Sequence, residues 1–113
     1  MKATPVVRVA DIEVDPAQRE AFISAVREEM DESVRVEPGV LALYAVAEKD
    51  DPSRLRFFEI YADGAAYERH LQSPHFRKYR ATTEPMIRSR TLTETIPIQL
   101  SSKLDPEQGV GRG

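Results

Sequence analysis

The chain contains no cysteine, so disulfides, thiolate nucleophiles and zinc–thiolate sites are excluded. It has no tryptophan and only two histidines in 113 residues. No run approaches the roughly 20 apolar residues that a membrane-spanning helix requires. The opening Met1-Lys2-Ala3-Thr4-Pro5 lacks the apolar core of a secretory signal. The expectation is therefore a protein of the reducing cytoplasm. Basic residues form no cluster and the net charge is −3, which argues against a nucleic-acid partner. No glycine-rich phosphate loop is present, so no nucleotide or flavin is implied. No internal repeat or low-complexity segment is visible. What remains is a chain long enough for one domain with a modest core.

Within that domain, hydrophobic patterning alternates between strand and helix. Val6 to Val14 is β-branched and apolar, and predicts a first strand. Asp15-Pro16 then marks a helix start, with Asp15 as cap, Pro16 at the first helical position and Gln18 at the capping-box position. Phe22, Ile23, Val26, Met30 and Val34 recur at helical spacing until Pro38-Gly39 ends the run. Val40 to Glu48 predicts a second strand and Leu55 to Tyr61 a third, across the polar turn Lys49 to Ser53. Asp63 caps a short helix carrying Tyr67, His70 and Leu71. Ser73-Pro74 breaks that helical path and restarts it, with Phe76, Tyr79 and Thr83 on one face as far as Pro85. Thr91 to Ile98 predicts a fourth strand, and a loose polar tail is expected from Ser101. The order β-α-β-β-α-β is that of an α+β, ferredoxin-like fold.

Two helices cover one face of a four-stranded sheet and leave the other bare. The strands do not alternate as a solvated face would require. Val40 to Val46 is apolar on both parities. In the third strand, Phe58 and Ile60 point one way and Phe57, Glu59 and Tyr61 the other. We assign Phe58 and Ile60 to the helix side. Phe57 and Tyr61 then flank a carboxylate on the open face, which marks that face as an interface or ligand site.

Titratable chemistry is concentrated in one stretch. Both histidines fall in His70-Leu71-Gln72-Ser73-Pro74-His75-Phe76-Arg77-Lys78-Tyr79, shortly after Glu59 and Tyr61. Histidine is the side chain whose unperturbed pKa lies nearest neutrality. A metal site is not expected, because the histidines stand five apart across a proline rather than at the i, i+4 spacing of a helical pair. The charged face of the first helix (Arg19, Glu20, Arg27, Glu28, Glu29) reads as solvated.

Phe58-Glu59-Ile60-Tyr61 followed by His70 to Tyr79, with the upstream turn Glu37-Pro38-Gly39-Val40, resembles the signature of antibiotic biosynthesis monooxygenase domains. The resemblance covers roughly Val6 to Leu100, making residues 1–100 the domain and 101–113 a tail. It implies a dimeric α+β barrel in which two sheets pack through their bare faces, hence a homodimer, with a cavity beside each sheet. The family includes cofactor-free oxygenases of polyketide phenols, quinol monooxygenases, haem-degrading enzymes and an isomerase of a phosphorylated autoinducer. Haem degradation is set aside. The first strand lacks that group's asparagine, its tryptophan position matches His70, and its haem-ligand position falls near Arg80. The isomerase's basic residue near the end of the first helix falls at Met30.

What the resemblance implies is a cofactor-independent monooxygenase whose partners are O₂ and a quinol or related small aromatic molecule. Such chemistry needs a base, a donor to an oxyanion, and walls that exclude water. His70 is the preferred base and His75 the reserve. Glu59 accepts a proton or orients an imidazole, and Tyr61 donates. Tyr44 and Tyr79 are further donors, and Phe57 and Phe76 stack on a planar ring. Each residue also has a structural reading. His75 satisfies backbone groups at a helix start, His70 is a packed histidine, Glu59 pairs with Arg8 or Arg56, and Phe76 and Tyr79 are core. Two other functions compete: isomerisation of a small keto compound, and a non-catalytic barrel that binds a small molecule.

Overall fold

The computed structural model describes residues 4–104. The remainder of the expected tail, 105–113, lies outside the described residues. The elements are β1 (Val6–Val14), a 3₁₀ turn (Pro16–Gln18), α1 (Arg19–Val36), β2 (Val40–Ala47) and β3 (Arg54–Tyr61). They continue with α2 (Gly64–Leu71), α3 (Pro74–Thr83), a 3₁₀ turn (Glu84–Met86) and β4 (Ile87–Glu94). The four strands form one antiparallel sheet in the order β2-β3-β1-β4. This is the ferredoxin-like α+β arrangement.

Short polar residues at the boundaries explain where each helix begins. Asp15 Oδ1 accepts from the Ala17 N–H at 3.0 Å and Asp63 Oδ1 from the Ala66 N–H at 2.8 Å. The Gln18 side chain makes no capping bond, because a 3₁₀ turn precedes α1. Ser73 joins α2 to α3. Its hydroxyl donates to the His70 carbonyl at 2.8 Å and accepts from the Phe76 N–H at 3.3 Å.

Packing between sheet and helices forms two clusters. One joins Ala10, Ile12, Val14, Leu55 and Phe57 of the sheet to Phe22 and Val26 of α1. The other joins Val40 and Tyr61 to Ala66 of α2. Gly39 is required there, since a Cβ at that position would collide with the Ala66 methyl. That close approach seats the α1–β2 turn against α2.

Two expectations are corrected. The helix-facing parity of β3 is Leu55, Phe57, Glu59 and Tyr61, not Phe58 and Ile60. Phe57 and Tyr61 are 8% and 0% exposed, whereas Phe58 is 46% exposed. Both parities are aromatic, and Glu59 made its own face look unlike a core. The helix side accepts a carboxylate because it opens there into a cavity. Second, β4 starts earlier than predicted and ends at Glu94, opposite Arg8 of β1. Beyond it, Thr95 Oγ1 donates to the Val7 carbonyl at 2.6 Å, and Ile96 and Ile98 are exposed. Strand-favouring residues continue past the point where the pairing stops.

On the outer face of the sheet, Tyr44, Val46 and Phe58 are all exposed. Tyr44 is in register with Phe58, and Val46 with Arg56, which pairs with Asp11 and Glu48.

Candidate functional site

A cavity of about 80 Å³ lies between the sheet and the helices. Phe57, Met30, Phe76 and Tyr79 give it an apolar lining, and Glu29, Glu59 and His70 bring titratable groups to it. Arg8, Arg80 and Arg90 also border it, each paired with an acidic residue, Glu94 for Arg8 and Glu84 for the other two.

Glu59 projects from β3 on the same face as Tyr61, two residues on. The Tyr61 hydroxyl donates to Glu59 Oε1 at 2.6 Å. The anticipated partner was an arginine. Arg8 is opposite Glu59 in register but pairs with Glu94, and Arg56 lies on the outer face. Burial, and then the Glu59 charge, hold the Tyr61 phenol far above its ordinary pKa, so it remains a donor. Burial, followed by the Glu29 charge, pushes Tyr79 up to about 12.

His70 sits on the last turn of α2 and is 3% exposed. Its ring packs against Tyr61 and Phe76, with centroids 5.3 and 4.9 Å away. Each ring nitrogen meets a different carboxylate of α1 or its end. Nε2 lies 3.3 Å from Glu29 Oε1, and Nδ1 lies 2.9 Å from Glu37 Oε2. His75 Nε2 approaches the same Glu37 oxygen at 2.6 Å. The Ser73-Pro74 break makes this possible, because it turns the path so that the two imidazoles converge, centroids 6.2 Å apart.

The two carboxylates are driven in opposite directions. Burial raises the Glu29 carboxyl more than His70 and Ser33 lower it. Burial also acts to raise Glu37, but the hydrogen bonds and charges of His70 and His75 outweigh it and hold Glu37 below its ordinary value. The Ser33 hydroxyl lies 2.8 Å from the Glu29 main-chain oxygen and 2.9 Å from Glu29 Oε1, and its one proton serves only one of them. Ionised Glu37 accepts from His70 Nδ1–H and from His75 Nε2–H at the same oxygen, while Glu29, on the far side of the His70 ring, holds its proton more tightly than an ordinary carboxyl. Titratable groups pushed apart in this way are the kind that acid–base chemistry uses.

The sequence-predicted residues therefore divide. His70, Glu59, Phe57, Phe76 and Tyr79 meet at the cavity. Tyr61 supports Glu59 from beneath it, and His75 stands behind His70 on Glu37. Tyr44 borders the cavity from the edge strand β2, but its register with Phe58 puts its exposed side chain on the outer face. Sequence reasoning missed Glu29 and Glu37. Glu29 was expected on the solvated face of the first helix but is 8% exposed. A signal was present: Phe22, Val26, Glu29 and Ser33 follow one another at helical spacing on the buried stripe of α1.

Glu37, His70 and His75 also form a set of metal-type donors, all within 4.8 Å of one another. The spacing of the histidines gave no hint of it, because the third donor comes from another element. Donors around a tetrahedral ion with bonds of about 2.0–2.1 Å stand roughly 3.3 Å apart. The 2.6 and 2.9 Å separations here are those of hydrogen bonds.

Residues 5–82 match the family described as antibiotic biosynthesis monooxygenase. Among solved structures, a Bacteroides thetaiotaomicron protein assigned by name to the antibiotic biosynthesis monooxygenases is 41% identical. It superposes with a TM-score of 0.85, over 90% of this chain and 97% of its own. The Mycobacterium tuberculosis protein Rv0793 is 26% identical with a TM-score of 0.78, over 88% of this chain and 100% of its own. A Synechocystis protein, sll1783, is 31% identical across 66% of this chain. The chain spans about half the length of that curated relative.

Proposed function

Because the chain belongs to the antibiotic biosynthesis monooxygenase family, we propose that it is a cofactor-independent monooxygenase of a quinol or related phenolic molecule, acting as a homodimer. The observation that carries this is the buried Glu29–His70 pair in the wall of an apolar cavity, beside Glu59. A quinol must lose a hydroxyl proton before it can reduce O₂ readily. As Glu29 yields its proton to His70 Nε2, the freed carboxylate takes the proton of the substrate. His70 thus acts as base through Glu29. Tyr61 engages Glu59 Oε1, leaving Oε2 to accept the second hydroxyl of the quinol. Phe57 and Phe76 offer faces to the ring, and the apolar lining limits water.

The atoms balance without an external reductant. The ring gains one oxygen as a hydroxyquinone, the other leaves as water, and the substrate supplies all four electrons. The exposed apolar side chains of the outer sheet face support the dimer, for which a standard interface buries about 1,200–2,000 Å² in total.

The test is O₂ uptake above autoxidation across a panel of benzoquinols, naphthoquinols and polyphenols, with ¹⁸O₂ followed into the product. His70→Ala should lower the rate by about 10²–10⁴-fold, the usual contribution of a positioned base. No oxidation across the panel, or a His70→Ala rate equal to wild type, defeats the reading and leaves an isomerase or a binding barrel.

A further inference from the structure

We propose that Glu37 and His75 form a proton exit that connects the buried Glu29–His70 pair to solvent. This deepens the monooxygenase reading and rests on it only for the origin of the proton. His70 has almost no contact with water, and aromatic rings of Tyr61 and Phe76 lie against it. Its polar outlets are Glu29, toward the cavity, and Glu37, away from it. A proton taken up at the cavity therefore leaves through Nδ1.

The continuation is unbroken. Glu37 Oε2 stands 2.9 Å from His70 Nδ1 and 2.6 Å from His75 Nε2, each within direct transfer distance. The His75 side chain is 14% exposed. Among the described residues no hydrogen bond engages its Nδ1, and no buried side-chain nitrogen or oxygen lacks a partner. His75 Nδ1 accordingly meets water. Glu37 is also held below its ordinary pKa, so it hands a proton on rather than storing it.

Each step conserves bonds and charge. The Glu29 O–H breaks as an N–H forms at His70 Nε2. The His70 Nδ1–H breaks as an O–H forms at Glu37. With its proton on Nδ1, His75 accepts at Nε2 and releases the Nδ1 proton to water, and a flip of the imidazole ring then turns an unprotonated nitrogen back to Glu37. Histidine suits the outermost place because it carries protons near neutral pH without holding them. Nothing is oxidised or reduced along this path.

The experiment needs neither substrate nor O₂. Solvent exchange of the His70 ring N–H is measured by NMR on ¹⁵N-histidine-labelled protein. His75→Gln keeps a donor to Glu37 but passes no proton onward, and His75→Phe keeps aromatic bulk as a second variant. Exchange at His70 should slow by about tenfold or more in both, at the low end of the effect of one positioned acid–base group. A purely structural His75 predicts the opposite sign, because loosening the cluster admits water and speeds exchange. Exchange that is unchanged or faster in both variants overturns the proposal. A protein that oxidises no quinol yet shows the slowing loses the oxygenase reading and keeps the exit.

Discussion

Replacing the two carboxylates that flank His70 should shift stability in opposite directions. Glu37→Gln preserves shape, and its amide oxygen still accepts from both imidazoles, but both bonds lose their charged acceptor. Hydrogen bonds to an ionised group contribute about 1.5–3 kcal/mol against about 0.5–1.5 for neutral pairs. Two such bonds, at 2.9 and 2.6 Å, make the expected loss about 1–3 kcal/mol. At roughly 3–6 °C per kcal/mol for a domain of this size, the melting temperature falls by about 3–18 °C at pH 7. The folded pKa of Glu37 is depressed, so its stabilisation is fully present above the unfolded carboxyl value of about 4.3 and is lost as pH falls through the folded value. The deficit of Glu37→Gln should therefore shrink on acidification below that range. Glu29 has the opposite sign. Its pKa is raised, so ionising it as pH rises costs stability, and Glu29→Gln, whose amide donates to His70 as the neutral acid does, should melt at or above wild type at pH 7. Thermal melts of the three proteins from pH 3 to 8 decide the matter. A Glu37→Gln deficit that is independent of pH, or a Glu29→Gln protein less stable than Glu37→Gln at pH 7, refutes the assignment of one raised and one depressed carboxyl.

Other outcomes follow from single contacts. Gly39→Ala drives a methyl into Ala66 and should cost about 1–3 kcal/mol by denaturant titration; a neutral result would mean that the α1–β2 turn is not seated on α2. Tyr61→Phe strips Glu59 of its buried donor, and should lower stability by about 1–3 kcal/mol and slow turnover. Phe58→Asp, on the outer face, should leave the circular dichroism intact and give a monomer in sedimentation, and a wild type already monomeric at micromolar concentration would remove the homodimer. The cavity, at about 80 Å³, is smaller than the roughly 150 Å³ that takes a benzene ring. Either substrate requires the cavity to widen and a single ring requires it least, so single-ring quinols should outpace naphthoquinols in kcat/KM, and the reverse order would refute the size argument.

Much of this protein was legible without coordinates. The order of elements, the caps at Asp15, Asp63 and Ser73, and the Phe22 and Val26 positions of the buried stripe of α1 are local properties, set by side chains acting on neighbouring backbone or by helical period, whereas Val34, expected on that stripe, is exposed. The segment from His70 to Tyr79 pointed to the cavity now taken as the candidate site, because both histidines lie in it. The facing of β3 was not local. Phe57 and Phe58 are equally apolar, and only the docking of Phe22 from α1 onto Phe57 selects one parity. The strand β4 stops pairing at Glu94, opposite Arg8, although β1 continues to Val6, and no propensity in the Thr91 to Ile98 stretch records that end. The site itself was assembled by tertiary contact. Glu29 and Glu37 lie 41 and 33 residues before His70, and nothing in the chain around either one ties it to a histidine. They meet one imidazole because Gly39 lets the end of α1 press against α2 and because Pro74 turns α3 back toward it. Burial then separates two carboxyls that are chemically identical in the sequence. The environment that raises one and lowers the other exists only once the chain has folded.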